Sequence, residues 1–179
     1  MWQTATLEFK RGWYKAMRKV FLLITIMLFT FIMGCTNQNP VTNETGLANL
    51  YIKTIDTLFD DDPGLNGDIK FIAIQMDTLK GINEADKQKI EEHIKEKGYE
   101  MKNASIKELK EQGEFDEEKL YIKNGILIKI DEIEEFTDTR IVFTASKYRS
   151  GLGAIGLSFT FEKKNKTWDL LESKMLWIS

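Results

Sequence analysis

The last third of the chain alternates. From Ala154 to Lys163, Ile155, Leu157, Phe159 and Phe161 occupy every second position, with Ser158, Thr160 and Glu162 between them. Successive side chains of a strand point to opposite faces, so this period of two demands a strand with one face in a core and one in water. Arg140 to Tyr148 and Thr167 to Ile178 read as further strands, separated from it by the turn formers Ser150-Gly151 and Lys164-Asn165-Lys166. Leu120–Lys123 and Ile126–Ile130 flank Asn124-Gly125, the dipeptide that most strongly predicts a tight hairpin. Trp168, Leu170, Met175 and Trp177 add bulk to the same core.

Upstream the period changes. Leu47, Leu50, Tyr51, Ile55, Leu58 and Phe59 are three and four residues apart, which predicts a helix over about 46–59. Asp60-Asp61-Asp62-Pro63-Gly64 stops it. Asp68 to Leu79 is apolar on both parities around Phe71–Ile74 and reads as a buried strand. Asn83 caps a second helix with Glu84 and Asp86 in its first turn, and Gly98 ends it. Its apolar face is thin (Ala85, Ile90 and Ile94), so it belongs at the surface. Tyr99 to Ala104 reads as a short strand, and Ser105 with Glu108 has the spacing of a capping box opening a third helix. A helix followed by a run of strands predicts one α+β domain over 47–179, its N-terminal helix packed on a curved, mainly antiparallel sheet. This order of elements resembles the cystatin-like cone folds in which small lipoprotein domains are common. The resemblance carries no diagnostic motif and transfers no function.

Val20 to Met33 is a run of fourteen residues without a charge, preceded by Arg18 and Lys19. As a helix it spans roughly 21 Å, short of the ~30 Å hydrocarbon core of a bilayer. A positive start, a short apolar stretch and a small residue after it make a signal peptide. Ile32-Met33-Gly34-Cys35 resembles the lipobox of bacterial lipoproteins. That resemblance implies cleavage between Gly34 and Cys35, a thioether-linked diacylglycerol on Cys35, and a place on the extracytoplasmic face of the cell membrane. Two acyl chains hold stably where one is marginal, at ~0.8 kcal/mol per buried CH₂. An uncleaved anchor helix with an incidental cysteine is the alternative. Residues 1–34 are thus a leader and 35–46 a lipidated cysteine with a polar tether. Met17 makes an ordinary start for such a leader, so residues 1–16 read as a mis-called start.

The formal net charge is −3, but residues 1–34 hold five basic residues against Glu8, a balance of +4, which leaves −7 for the rest. A domain of that sign repels nucleic-acid phosphate. One cysteine and one histidine, His93, exclude an intramolecular disulfide and a zinc site of several Cys and His ligands. No catalytic residue, metal or cofactor is assigned.

Several motifs invite a function. Gly151-Leu152-Gly153-Ala154-Ile155-Gly156 fits the dinucleotide fingerprint, but a strand follows where the phosphates need a helix N-terminus, so the glycines read as a turn and a crowded strand start. Asp60, Asp61, Asp62 and Asp68 lack the order of a calcium loop and read as an acidic helix stop. His93 reads as a solvated residue on a helix face. Asp131, Glu132, Glu134, Glu135 and Asp138 read as a charged bend between strands. Lys147, Tyr148 and Arg149 with Gly151 and Gly153 form the best candidate for an exposed recognition loop. Together these features favour a non-enzymatic binding or interaction module, anchored to a membrane through Cys35, with an envelope protein or a peptide as partner. The alternatives are a small cell-surface hydrolase using the acidic stretch and a lipoprotein that intercepts a toxin.

Overall fold

The computed structural model describes residues 46–179. The leader, Met17, Gly34, Cys35 and the tether as far as Thr45 lie outside the described residues. The chain forms helix α1 (Leu47–Asp60), strand β1 (Phe71–Ile74), helix α2 (Glu84–Glu96), β2 (Glu100–Asn103), helix α3 (Ile106–Glu111) and the two-residue strands β3 (Phe115–Asp116) and β4 (Tyr121–Ile122). Four long strands complete it: β5 (Gly125–Phe136), β6 (Arg140–Ser150), β7 (Gly153–Lys164) and β8 (Thr167–Ile178).

The eight strands make one sheet, running β2-β1-β5-β6-β7-β8, with β4 and β3 attached to the end of β6. The fold is α+β, and the sheet curls into a half-barrel. β1 is parallel to both of its neighbours, β2 and β5, while the other pairings are antiparallel. The curl has a local cause. The register with β6 skips Asp131 and Glu134 on β5, and the register with β7 skips Leu171 and Leu176 on β8. Each unpaired residue is a bulge that bends its strand and increases its twist.

α1 packs inside the curl. Its Leu50, Tyr51, Ile55 and Leu58 meet Ile72, Ile128, Phe143, Phe159 and Phe161 in the main core. The other face of β1 and β5 is covered by α3 and the β3–β4 hairpin, through Phe71, Ala73, Leu109, Phe115, Ile122 and Leu127. β1 is buried on both faces, which is why its sequence does not alternate.

Both capping boxes form. Asn83 and Asp86 exchange hydrogen bonds at the start of α2, as do Ser105 and Glu108 at the start of α3. α2 buries Ile90 and Ile94 completely and keeps its other face near water.

Two expectations are corrected. Asp68 to Leu79 is not one strand: β1 stops at Ile74 and Met76–Thr78 form a 3₁₀ turn. β2 ends at Asn103, whose side-chain oxygen accepts from the Met76 N–H at 3.2 Å and so closes the strand. Asn124-Gly125 does not join paired strands either. Asn124 takes the left-handed conformation the motif favours (φ 57°), but β5 pairs with β1 and β6 while β4 pairs with β3 and β6. The Phe71 ring lies where a Gly125 side chain would stand, so the glycine serves the β1–β5 contact.

Candidate binding cleft

α1 begins at Leu47 beside the β5–β6 turn and the start of β8. A cleft of about 240 Å³ opens there, lined by Leu47, Phe136, Thr137, Asp138, Ile141, Lys163 and Trp168. Four of these are large and apolar; the rest bring a hydroxyl, a carboxylate and an ammonium. Ligand sites are typically apolar clefts with a few polar groups to set orientation.

Each wall is fixed by neighbours. Tyr51 donates from its hydroxyl to the Lys80 carbonyl at 2.9 Å and ties the 79–82 segment to α1. Gly81 follows with φ +82°, a conformation that disfavours side chains, and a Cβ there would stand 2.9 Å from Leu47 and 3.1 Å from Phe136. Thr137 closes the β5–β6 turn by accepting from the Arg140 N–H at 3.0 Å and donating to its carbonyl at 2.8 Å. Lys163 places its ammonium 5.3 Å from the centre of the Trp168 ring. The Trp168 Nε1 is buried and has no acceptor among the described residues. A buried donor left unpaired costs about 1–3 kcal/mol. Gly46 lies against the same indole: a Cβ on it would be 3.4 Å from Cδ1.

Sequence reasoning passed over this cleft. In sequence Leu47 and Trp168 read as core and Phe136 and Ile141 carry no signal of a site, and only the sheet topology brings the β5–β6 turn beside β8's first residues.

The predicted recognition loop is elsewhere and is not a loop. Lys147, Tyr148 and Arg149 belong to β6, Gly153 begins β7, and Gly151-Leu152 alone form the turn. Lys147 is fully buried, which corrects its assignment to an exposed surface. It continues the inward row Ile141, Phe143, Ala145 and ends at the C-terminus of α1. Its ammonium donates there to the carbonyls of Phe59 (3.2 Å), Asp61 and Asp62 (3.0 Å) and to Asn66 Oδ1 (3.3 Å). Cations suit a helix C-terminus, whose last carbonyls lack intrahelical partners. Burial pulls the Lys147 pKa down to about 8, against the pull of the Asp62, Asp61 and Asp60 carboxylates. Arg149 is the residue that β6 skips in its register with β7. The bulge turns its guanidinium onto the same loop, where it donates to the Leu65 carbonyl at 2.9 Å, to that of Gly67 and to the Tyr121 hydroxyl at 3.0 Å. Tyr148 donates to the Leu120 carbonyl at 2.6 Å, and burial raises its pKa. The oxygen-rich Asp60–Asp68 loop therefore gathers around the protein's own cations. Among the described residues no group of three or more His, Cys, Asp or Glu is arranged to hold a metal ion.

His93 is not merely a solvated helix residue: its Nε2 lies 2.9 Å from Asp56 Oδ1, and Lys97 donates to the same oxygen at 2.9 Å. The acidic stretch is mostly strand and not bend. Asp131, Glu132, Glu134 and Glu135 form the outer half of β5, with Asp131 bonded to Lys129 and Glu135 to Arg140, and only Asp138 lies in the bend that follows. Glu132, Glu134 and Asp138 are exposed. Gly153 and Gly156 are strand residues, as the glycine motif's sequel predicted, and the Trp177 indole occupies the space a Gly156 side chain would need.

No protein-family model, curated protein or solved structure matches this chain. Among the described residues no helix is long and apolar enough to cross a membrane.

Proposed function

We propose that this chain is a lipid-anchored binding module on the extracytoplasmic face of a membrane, and that the cleft beside Gly46 receives an apolar group of its ligand. The observation that carries the reading is the cleft: four apolar side chains held by rigid elements, with Lys163 and Asp138 beside them. The leader and the Gly34-Cys35 junction support the address. Glu132 and Glu134 stand exposed on a strand, and Asp138, the one carboxylate of the three at the cleft, is exposed as well, which gives the hydrolase reading no support.

The test uses 8-anilinonaphthalene-1-sulfonate, an apolar probe with one anion. In the full chain carrying Trp2→Phe, Trp13→Phe and Trp177→Phe, Trp168 is the remaining tryptophan. Saturable quenching of its fluorescence is expected, and Lys163→Glu should weaken binding about fivefold, the scale of one partly exposed charge contact. Absence of saturable quenching, or quenching indifferent to Lys163→Glu, counts against the cleft.

A further inference from the structure

β8 is paired on one side only. β7 takes one edge, and no strand among the described residues takes the other. Unpaired strand edges template association with another chain, and proteins usually blunt them with short length, proline, charge or bulges; the β8 bulges at Leu171 and Leu176 leave Glu172–Met175 regular between them. β8 has twelve residues and no proline. It also carries five of the seven large hydrophobic side chains exposed among the described residues: Leu171, Met175, Leu176, Trp177 at 45% and Ile178 at 65%. The other two, Leu120 and Leu152, lie at the β6–β7 turn, next to the C-terminal end of the same strand.

We propose that β8 is the interface of a symmetric dimer, in which two copies of this chain join edge to edge through antiparallel β8 strands with the twofold axis at Ser173. The sequence of the strand selects both partner and register. An axis perpendicular to the paired strands requires one residue to stand opposite its own copy. With Ser173 there, Glu172 of each copy faces Lys174 of the other, and Leu171 faces Met175. Residues 170–176, Leu-Leu-Glu-Ser-Lys-Met-Leu, are thus apolar at both ends and opposite in charge about the centre. Moving the axis one residue either way sets Glu172 against Glu172 or Lys174 against Lys174. Opposite charges across a strand pair stabilise it and like charges destabilise it. The geometry agrees: Glu172–Met175 keep unbroken register with Thr160–Leu157, bounded by the bulges at Leu171 and Leu176. That regular window is centred close to Ser173, and Glu172 and Lys174 are both exposed.

Sedimentation of the full chain in detergent tests this, with circular dichroism confirming that each variant folds. Wild type should be a dimer at about 100 µM, within reach of a modest interface. Glu172→Lys and Lys174→Glu alone should each raise the dimer dissociation constant about tenfold or more, because symmetry converts two favourable pairs into two repulsive ones. The double reversal should restore the wild-type value. A monomeric wild type, a dimer indifferent to either reversal, or a double variant no tighter than the singles would overturn the proposal.

Discussion

Lys147 shows how one residue can hide its role. In sequence it follows Ser146 and precedes Tyr148, and a lysine there reads as surface. In the fold it is the fourth position of an inward row, and its ammonium takes up the carbonyls at the end of α1. Its pKa of about 8 lies below the ordinary 10.5. Between those values the unfolded chain holds a proton that the folded chain has released, so this group's contribution to stability rises with pH through that window. The full span corresponds to about 3 kcal/mol. Chemical denaturation of wild type and Lys147→Met from pH 7 to 10.5 should therefore show wild type gaining on the variant. A difference that stays flat with pH would mean Lys147 does not titrate there. The sequence marked the strand but not which of its faces turns inward, nor that this position meets a helix end, because that meeting joins residues more than eighty apart.

At the scale of elements, the caps and the long strands were legible because their causes are local. Asn83, Ser105 and Gly98 act within a few residues of themselves. The order of neighbours in the sheet was not legible, since Asn124-Gly125 encodes a turn but not a partner. β1, apolar on both faces, claims β5 because only an interior position buries both of its sides. The link between α1 and α2 was likewise invisible. Asp56 is pushed up by burial, yet hydrogen bonds and charge from His93 and Lys97 outweigh this and hold its pKa below the usual carboxylate value. A depressed carboxylate contributes stability above its ordinary pKa of 3.8 and loses it as pH falls through the folded value. Asp56→Asn should cost about 1 kcal/mol at neutral pH, as befits a partly exposed pair, and flatten the acid limb of the stability profile. An acid limb unchanged by the substitution would assign it to other carboxylates. Gly156→Val should cost about 1–3 kcal/mol by driving a side chain into the Trp177 indole, read as a lowered denaturation midpoint. An unchanged midpoint would show that Trp177 can move aside.

For the whole molecule, the two ends of the sheet differ. Gly46 lies against Trp168 at the β7–β8 turn, and the cleft opens at that end. The exposed Leu152 and Ile178 lie at the other. Thr36–Thr45 is ten residues, a reach of at most about 35 Å when extended. In the proposed anchored dimer, tethers of that reach would start from the two Gly46 ends on either side of the axis. Trp168 belongs both to the cleft and to β8, so ligand binding and pairing meet on that strand. Everything about this placement depends on the chemistry at Cys35. Mass spectrometry of the N-terminal peptide from membrane-extracted native protein is the direct measurement. A peptide that begins at Cys35 and carries a diacylglycerol is the expected result; a Cys35 thiol left free, with Gly34 still attached, would contradict lipid anchoring.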